Sequence, residues 1–192
     1  MTIRQFFHLP FLMLLTFTGL GVATSTAFSQ NAEKLLVGEV RNFVLASSHQ
    51  EMKDFAFLDG EGKEWKLSDF KDKTILLNFW ATWCAPCLKE MPGIDRLQGK
   101  LGSDDFTVLA VSQDLQGMKK VKKFLKALKI EHLTAYNDKT TKSGRSAGVF
   151  GLPATIILKK DLVVFGRLVG PAEWDSEEAV ALIKHAMQDG GS

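Results

Sequence analysis

The chain contains only two cysteines in 192 residues, and their spacing is the feature that most constrains its fold. Cys84 and Cys87 are separated by two residues and follow the apolar run 74–80. Helix-compatible residues come next, which predicts a buried strand that passes into a helix. One helical turn would hold the two Cα atoms within the separation of about 4.4–6.8 Å that a disulfide needs. The spacing therefore predicts a redox-active disulfide at a strand-to-helix junction.

The predicted position of each cysteine indicates its role. Cys84 would cap the helix, where the helix dipole and the unpaired N–H groups stabilise a thiolate. Cys87 would lie inside the helix, be more covered and stay protonated longer. We therefore expect Cys84 to attack and Cys87 to resolve the mixed disulfide.

A structural disulfide or a metal site would also fit two cysteines at this spacing. A structural bond would close a very small loop and stabilise little. Zinc usually takes four ligands, and the histidines are scattered singly, at His8, His49, His132 and His185. Two thiolates can hold Cu(I), so a copper-binding chaperone remains an alternative.

Residues 1–29 have the pattern of a secretory signal peptide. They contain Arg4 and no acidic residue, then a short apolar run, and Ala27 and Ser29 suit the small positions of a cleavage site. A retained membrane anchor is the alternative, because the segment can just supply about 20 apolar residues. Either way we expect an extracytoplasmic domain, in a bacterial periplasm, soluble after cleavage or tethered to the inner membrane.

Charge and composition limit the classes of partner that we expect. A net charge of +2 indicates no nucleic-acid partner, and an apolar share of 45% is ample for one core. We expect a linker or helical segment at 30–50 and one domain at 51–188. Residues 119–129 predict a basic amphipathic helix, which is either a docking face for anionic lipid or an acidic partner, or a solvated face over a packed stripe.

The order of predicted elements favours an α/β fold with a mixed sheet. Two continuous apolar runs, 74–80 and 106–112, are typical of buried parallel strands joined by a helix. The remaining predicted elements are a hairpin at 55–67, a short strand at 132–136, an antiparallel hairpin within 154–167 and a helix at 176–187.

At residues 79–87, Phe-Trp-Ala-Thr-Trp-Cys-Ala-Pro-Cys, the chain resembles the thioredoxin superfamily. It resembles more closely the TlpA/ResA/CcmG-like group of extracytoplasmic thiol–disulfide reductases, through Glu90, Pro92 and the Gly-Leu-Pro-Ala-Thr sequence at 151–155. The resemblance covers about residues 50–188. It implies a thioredoxin-like fold with an N-terminal β-hairpin and a central αβ insertion.

The same resemblance implies a substrate-binding edge. Pro153 would be cis, would face the cysteines and would present the backbone of Leu152 to an extended substrate; a trans turn proline is the alternative. Trp83 would border the groove, unless it only packs. The expected substrate-binding residues are Trp83, Ala85, Pro86 and Leu152.

Glu90 is the candidate for proton transfer. It lies one turn beyond Cys87, so it can relay a proton to or from that thiol, although a surface glutamate is the alternative. Plain thioredoxins usually carry a buried aspartate where this chain has Asn78, and asparagine cannot titrate. This departure moves the expected relay to Glu90.

The resemblance implies an enzyme that reduces disulfides of specific partner proteins, in cytochrome c or copper-oxidase maturation. A membrane thiol electron donor would recharge it, and no cofactor or metal is expected. The alternatives are a disulfide oxidase or isomerase, a peroxidase, and a copper or haem chaperone. A peroxidase site would need Pro-x-x-x-Thr-x-x-Cys, which Cys84 lacks.

Overall fold

The structure is a computed structural model that describes residues 31–188, and its centre is one eight-stranded mixed sheet. Neighbouring strands follow the order β1-β8-β7-β4-β5-β6-β2-β3. The strands are β1 Val44–Leu45, β2 Ala56–Asp59, β3 Glu64–Lys66, β4 Thr74–Trp80, β5 Phe106–Ser112, β6 Tyr136–Asn137, β7 Ala154–Leu158 and β8 Val164–Val169.

Between residues 34 and 188, four α-helices and two short 3-10 turns accompany the sheet. The α-helices are α1 Ala85–Leu101, α2 Met118–Ala127, α3 Lys142–Ser146 and α4 Glu177–Gln188, and the 3-10 turns are Gly38–Val40 and Leu67–Phe70. At the start of α4 the Ser176 hydroxyl accepts a hydrogen bond from the Ala179 amide at 3.3 Å, and Glu177 and Glu178 follow in the first turn. A serine hydroxyl that accepts from the first turn and acidic residues within that turn both stabilise a helix N terminus.

Strand β4 lies near the middle of the sheet, and its side chains contribute to a hydrophobic core on each face. It runs parallel to β5 and antiparallel to β7. Its alternating side chains point to opposite faces, so Leu76 and Trp80 join the core beneath α1 and α4 while Leu77 and Phe79 join the other core. The same alternation directs Asn78 toward the α1 face.

The predicted thioredoxin-like architecture is confirmed. The strands predicted at 74–80, 106–112 and 154–158 have these bounds in the structure. The predicted N-terminal hairpin is β2–β3, and the central insertion is α2 followed by β6, which joins β5 to β2.

The strand predicted at 132–136 was wrong in extent, because only Tyr136 of this segment lies in β6. The buried Asp95 carboxylate on α1 accepts hydrogen bonds from the amides of Glu131, His132 and Leu133, at 2.8–3.2 Å. Those amides are therefore taken up by a side chain and cannot join a strand ladder.

Residues 31–50 contribute one strand to the sheet. Within the predicted linker, Val44–Leu45 pairs with β8 at one edge of the sheet. The predicted signal peptide or anchor at 1–29 lies outside the described residues. Between residues 31 and 188, no helix has the length and apolar character needed to cross a bilayer.

Candidate active site

The two cysteines lie at the start of α1, just beyond the carboxyl end of β4. Cys84 is the N-cap residue of α1 and forms a disulfide with Cys87, with a Cα–Cα distance of 5.3 Å. The Cys87 amide donates a hydrogen bond to Cys84 Sγ at 3.3 Å. Cys84 is 5% exposed and Cys87 is fully buried. The helix N terminus therefore supports negative charge on Cys84, which is also the more exposed residue of the pair.

Glu90, predicted as the proton-transfer residue, lies on the buried side of the same helix. Its side chain is 4% exposed. Asn78 Nδ2 donates to Glu90 Oε1 at 2.8 Å, and the Ala172 amide donates to Glu90 Oε2 at 3.2 Å. Asn78 Nδ2 also donates to Thr155 Oγ1 at 3.0 Å. The asparagine that replaces the expected aspartate is thus a hydrogen-bond donor to the glutamate.

Burial governs the protonation of Glu90. It raises the pKa of Glu90 from 4.5 to about 7, since an ionised carboxyl loses hydration there. The hydrogen bonds from Asn78 and Ala172 oppose this rise only in part. The Trp174 indole also lowers the pKa of Glu90, although its N–H forms no hydrogen bond of ordinary geometry within residues 31–188. Glu90 can therefore exchange a proton near neutral pH.

A second buried carboxylate, Asp114, was not identified from the sequence. Asp114 is 1% exposed and follows β5. Its oxygens accept hydrogen bonds from the Thr82 amide at 2.8 Å, the Thr82 hydroxyl at 2.6 Å and the Ser112 hydroxyl at 2.7 Å. Lys120 Nζ of α2 lies 3.8 Å away. Because Thr82 lies two residues before Cys84, Asp114 fixes the loop that carries the attacking sulfur.

The pairing of β4 with β5 explains why Thr82 and Asp114 meet. Trp80 and Ser112 are paired at the ends of the parallel strands β4 and β5. Thr82 and Asp114 each lie two residues further on. Because parallel strands end at the same sheet edge, the residues that follow them meet there.

The loop before β7 supplies the third part of the site. The Leu152–Pro153 peptide is cis, as the resemblance implied. The Pro153 carbonyl accepts a hydrogen bond from the Gly170 amide at 2.9 Å. Within residues 31–188, neither the N–H nor the C=O of the partly exposed Leu152 forms a hydrogen bond. Its backbone is therefore available to pair with another extended chain.

A groove of about 610 Å³ runs between the cysteine loop and this proline loop. Trp83 and Leu152, both predicted to bind substrate, lie on it, together with Leu115, Arg145, Val149 and Phe150. Ala85 and Pro86 are exposed on the first turn of α1 but do not line it. Sequence reasoning missed Leu115, Arg145 and Phe150, which lie in loops and a short helix without a periodic pattern.

Comparisons with known proteins identify relatives of this chain. Residues 49–165 match the AhpC/TSA family. The chain is 30% identical over 167 residues to the thiol-disulfide oxidoreductase ResA of Bacillus cereus, covering 87% of this chain and 88% of that protein.

Two solved structures with thiol–disulfide or thioredoxin names are also similar to this chain. A protein of Chlorobium tepidum named as thiol:disulfide interchange protein DsbE is 30% identical, with a TM-score of 0.66 over 73% of this chain and 98% of that one. The exposed lipoprotein thioredoxin of Streptococcus pneumoniae is 27% identical, with a TM-score of 0.58 over 71% of this chain and 99% of its own.

Proposed function

Because the chain belongs to the AhpC/TSA family, as a thiol–disulfide oxidoreductase similar to ResA, we propose that it reduces disulfides in a small set of extracytoplasmic proteins. The difference between the two sulfurs carries this proposal. Cys84 is 5% exposed at a helix N terminus, whereas Cys87 is fully buried. Such a pair offers one sulfur to a protein disulfide and keeps the other for release.

The reduction cycle begins from the dithiol. The Cys84 thiolate attacks one sulfur of the client disulfide, the client S–S bond breaks, and the other client sulfur leaves as a thiolate that takes a proton. The Cys87 thiolate then attacks Cys84 Sγ in the mixed disulfide. This step releases the second client thiolate and forms the Cys84–Cys87 disulfide. Two electrons have passed from the protein to the client.

Glu90 is proposed to accept the proton that Cys87 must lose. It lies one turn along α1 from Cys87, and burial raises the pKa of Glu90 to about 7. A general base works best when its pKa is near the operating pH. An ordinary surface glutamate, with a pKa near 4.5, would be a much weaker base.

The surroundings of the cysteines favour reduction over oxidation. A dithiol protein is a strong oxidant only when its reduced form is strongly stabilised as a thiolate. Here the side chains of Ala85 and Pro86, between the cysteines, add no positive charge and no hydrogen-bond donor. When Glu90 is ionised, its negative charge lies one helical turn from Cys87 and opposes a second negative charge there. Both features stabilise the disulfide relative to the dithiolate, which makes the dithiol a better reductant.

The proposed clients and location rest on the resemblance and on the N-terminal sequence. Candidate clients are the haem-binding cysteines of apocytochrome c and the copper-site cysteines of oxidase assembly proteins. A signal peptide or anchor at 1–29 would place the domain in the periplasm, where thiols become oxidised. A membrane thiol donor would then have to reduce the Cys84–Cys87 disulfide after each turnover.

Trapping of mixed disulfides tests the cysteine roles. Cys87→Ser should accumulate covalent complexes with client proteins, because the resolving thiol is absent. Cys84→Ser is the matched control and should accumulate almost none. Non-reducing electrophoresis followed by peptide mapping gives the linked cysteine. Complexes formed through Cys87 alone would overturn the assignment.

The reduction potential tests the direction. We expect equilibration of the full chain with glutathione buffers to give a value nearer to the thioredoxin value of about −270 mV than to the oxidant value of about −120 mV. A value near the oxidant limit, with rapid oxidation of a reduced unfolded protein, would contradict the reductase proposal.

A further inference from the structure

The groove beside the disulfide combines exposed apolar side chains with one cation. We propose that Arg145 makes this groove select client segments in which an acidic side chain lies close to apolar ones, near the client cysteine. This inference rests on the proposed function and names the chemistry of the client. Arg145 would be a specificity-determining residue that does not touch the reacting sulfurs.

The apolar part of the groove is unusually exposed. Trp83 is 67% exposed, Leu115 is 73% exposed and Phe150 is 95% exposed. Large apolar side chains that stand together in solvent mark a surface that a partner covers. The exposed Val169 extends this surface. It lies beside Gly151 of the groove, because a Cβ atom added to Gly151 would be 4.0 Å from Val169 Cγ1.

The groove is continuous with the reacting atoms. Trp83 immediately precedes Cys84, and Leu152 immediately precedes Pro153. The free N–H and C=O of Leu152 can pair with an extended segment as in β-strand addition. A client held in this way would present its cysteine to Cys84 while its neighbouring side chains lie in the groove. This continuity identifies the occupant as the client segment itself.

Arg145 supplies the charge. It is exposed on α3, and the other groove-lining residues within the described chain are uncharged. Its Nη2 donates to the Thr140 carbonyl and to Thr141 Oγ1, both at 2.8 Å, and its Nε donates to the Thr141 carbonyl at 3.4 Å. Between residues 31 and 188, Nη1 has no hydrogen-bond partner and no carboxylate pairs with Arg145.

These contacts orient the guanidinium before a client arrives. A side chain that is already ordered loses less conformational entropy when it binds a carboxylate. The charge is also placed beside apolar surface that a bound client would cover, which weakens screening by water. The arrangement therefore favours an acidic side chain over an amide or a basic one at the same client position.

Peptide substrates test the selection. Disulfide-bonded peptides would carry the same apolar residues beside the cysteine, with Asp, Asn or Lys placed in turn at each of four flanking positions. Rapid mixing with the reduced full chain gives the second-order rate constant of reduction. At one or two positions we expect Asp peptides to react about threefold to fivefold faster than Asn peptides, the range of a partly exposed ion pair. Lys peptides should react more slowly than Asn peptides.

Two variants test whether Arg145 causes the preference for Asp peptides. Arg145→Gln should bring the Asp-to-Asn ratio close to one. Lys142→Gln removes a positive charge from the same short helix, but Lys142 does not line the groove, so it should keep the ratio. Raised salt should reduce the preference of the wild-type protein, because the interaction is ionic.

The outcomes separate the two proposals. Equal rates for Asp and Asn at every position, with all peptides reduced, would overturn the role of Arg145 and leave the reductase function standing. Failure to reduce any peptide would overturn both. A concentration-dependent dimer that Arg145→Gln dissociates would assign the groove to a second copy of the chain and would also overturn the inference.

Discussion

Glu90 and Asp114 are both buried carboxyl groups close to the cysteine pair, but their surroundings differ in the number of donors. Asp114 accepts three hydrogen bonds and lies 3.8 Å from the Lys120 ammonium. Glu90 accepts one hydrogen bond from Asn78 and one from Ala172, and no cation pairs with it among the described residues. One carboxyl group is fully partnered and the other is only partly so.

This difference distinguishes a carboxylate that anchors a loop from a carboxyl group whose ionised form has few stabilising partners. The Asp114 charge is compensated, and its hydrogen bonds hold the loop before Cys84. The Glu90 charge is not compensated, so burial raises the pKa of Glu90 to about 7. Burial with few donors is the environment that the proposed proton transfer by Glu90 requires.

The largest effect is expected from Asp114→Ala. Three buried donors, two on Thr82 and one on Ser112, would lose their acceptor, and each orphaned donor costs about 1–3 kcal/mol. We expect the free energy of unfolding to fall by about 4 kcal/mol, measured by urea denaturation of the oxidised protein.

Asp104→Ala is the matched control for this measurement. Asp104 also pairs with a lysine, Lys73, at 3.9 Å, but its side chain is fully exposed. An exposed pair contributes about 0–1 kcal/mol, so this variant should lose far less stability than Asp114→Ala. Similar losses for both variants would show that the network at Thr82 does not hold the loop.

The comparison of Glu90 with Asp114 also shows which features of the site could be predicted from the sequence. The cysteine pair, β4 and α1 were predictable because each depends on a local pattern, namely cysteine spacing and runs of apolar residues. The helical spacing of Glu90 from Cys87 allowed a buried position near the disulfide, with a surface position as the alternative. These predictions need only the geometry of one element.

Contacts between elements were harder to predict. The Thr82–Asp114 network requires the register of β4 against β5, which a single sequence does not state. Arg145 and Phe150 belong to a loop and a five-residue helix whose conformation depends on tertiary contacts. The predicted strand at 132–136 was wrong in extent for the same reason, because Asp95 from a distant helix captures its amides.

A smaller effect, which depends on pH, is expected from Glu90→Gln. Between pH 4.5 and about 7 the folded protein binds a proton at Glu90 that the unfolded chain has released. The free energy of unfolding of the wild-type protein therefore falls as the pH rises through this range and stays low above it. The Gln variant lacks this titration. Its stability relative to wild type should increase by about 3 kcal/mol between pH 4 and pH 8, as the raised pKa implies.

Urea denaturation of both proteins at several pH values, with the disulfide intact, measures this difference. A constant offset between them is expected as well, because the new side-chain amide would face the Ala172 donor, but that offset does not change with pH. Glu64→Gln, which makes the same chemical change at an exposed position, is the control. In the reduced protein, Glu90→Gln should also move the thiol titration to lower pH, since a negative charge near the cysteines is removed. A flat stability difference together with an unchanged thiol titration would show that Glu90 is as fully compensated as Asp114, and the contrast between the two carboxyl groups would fail.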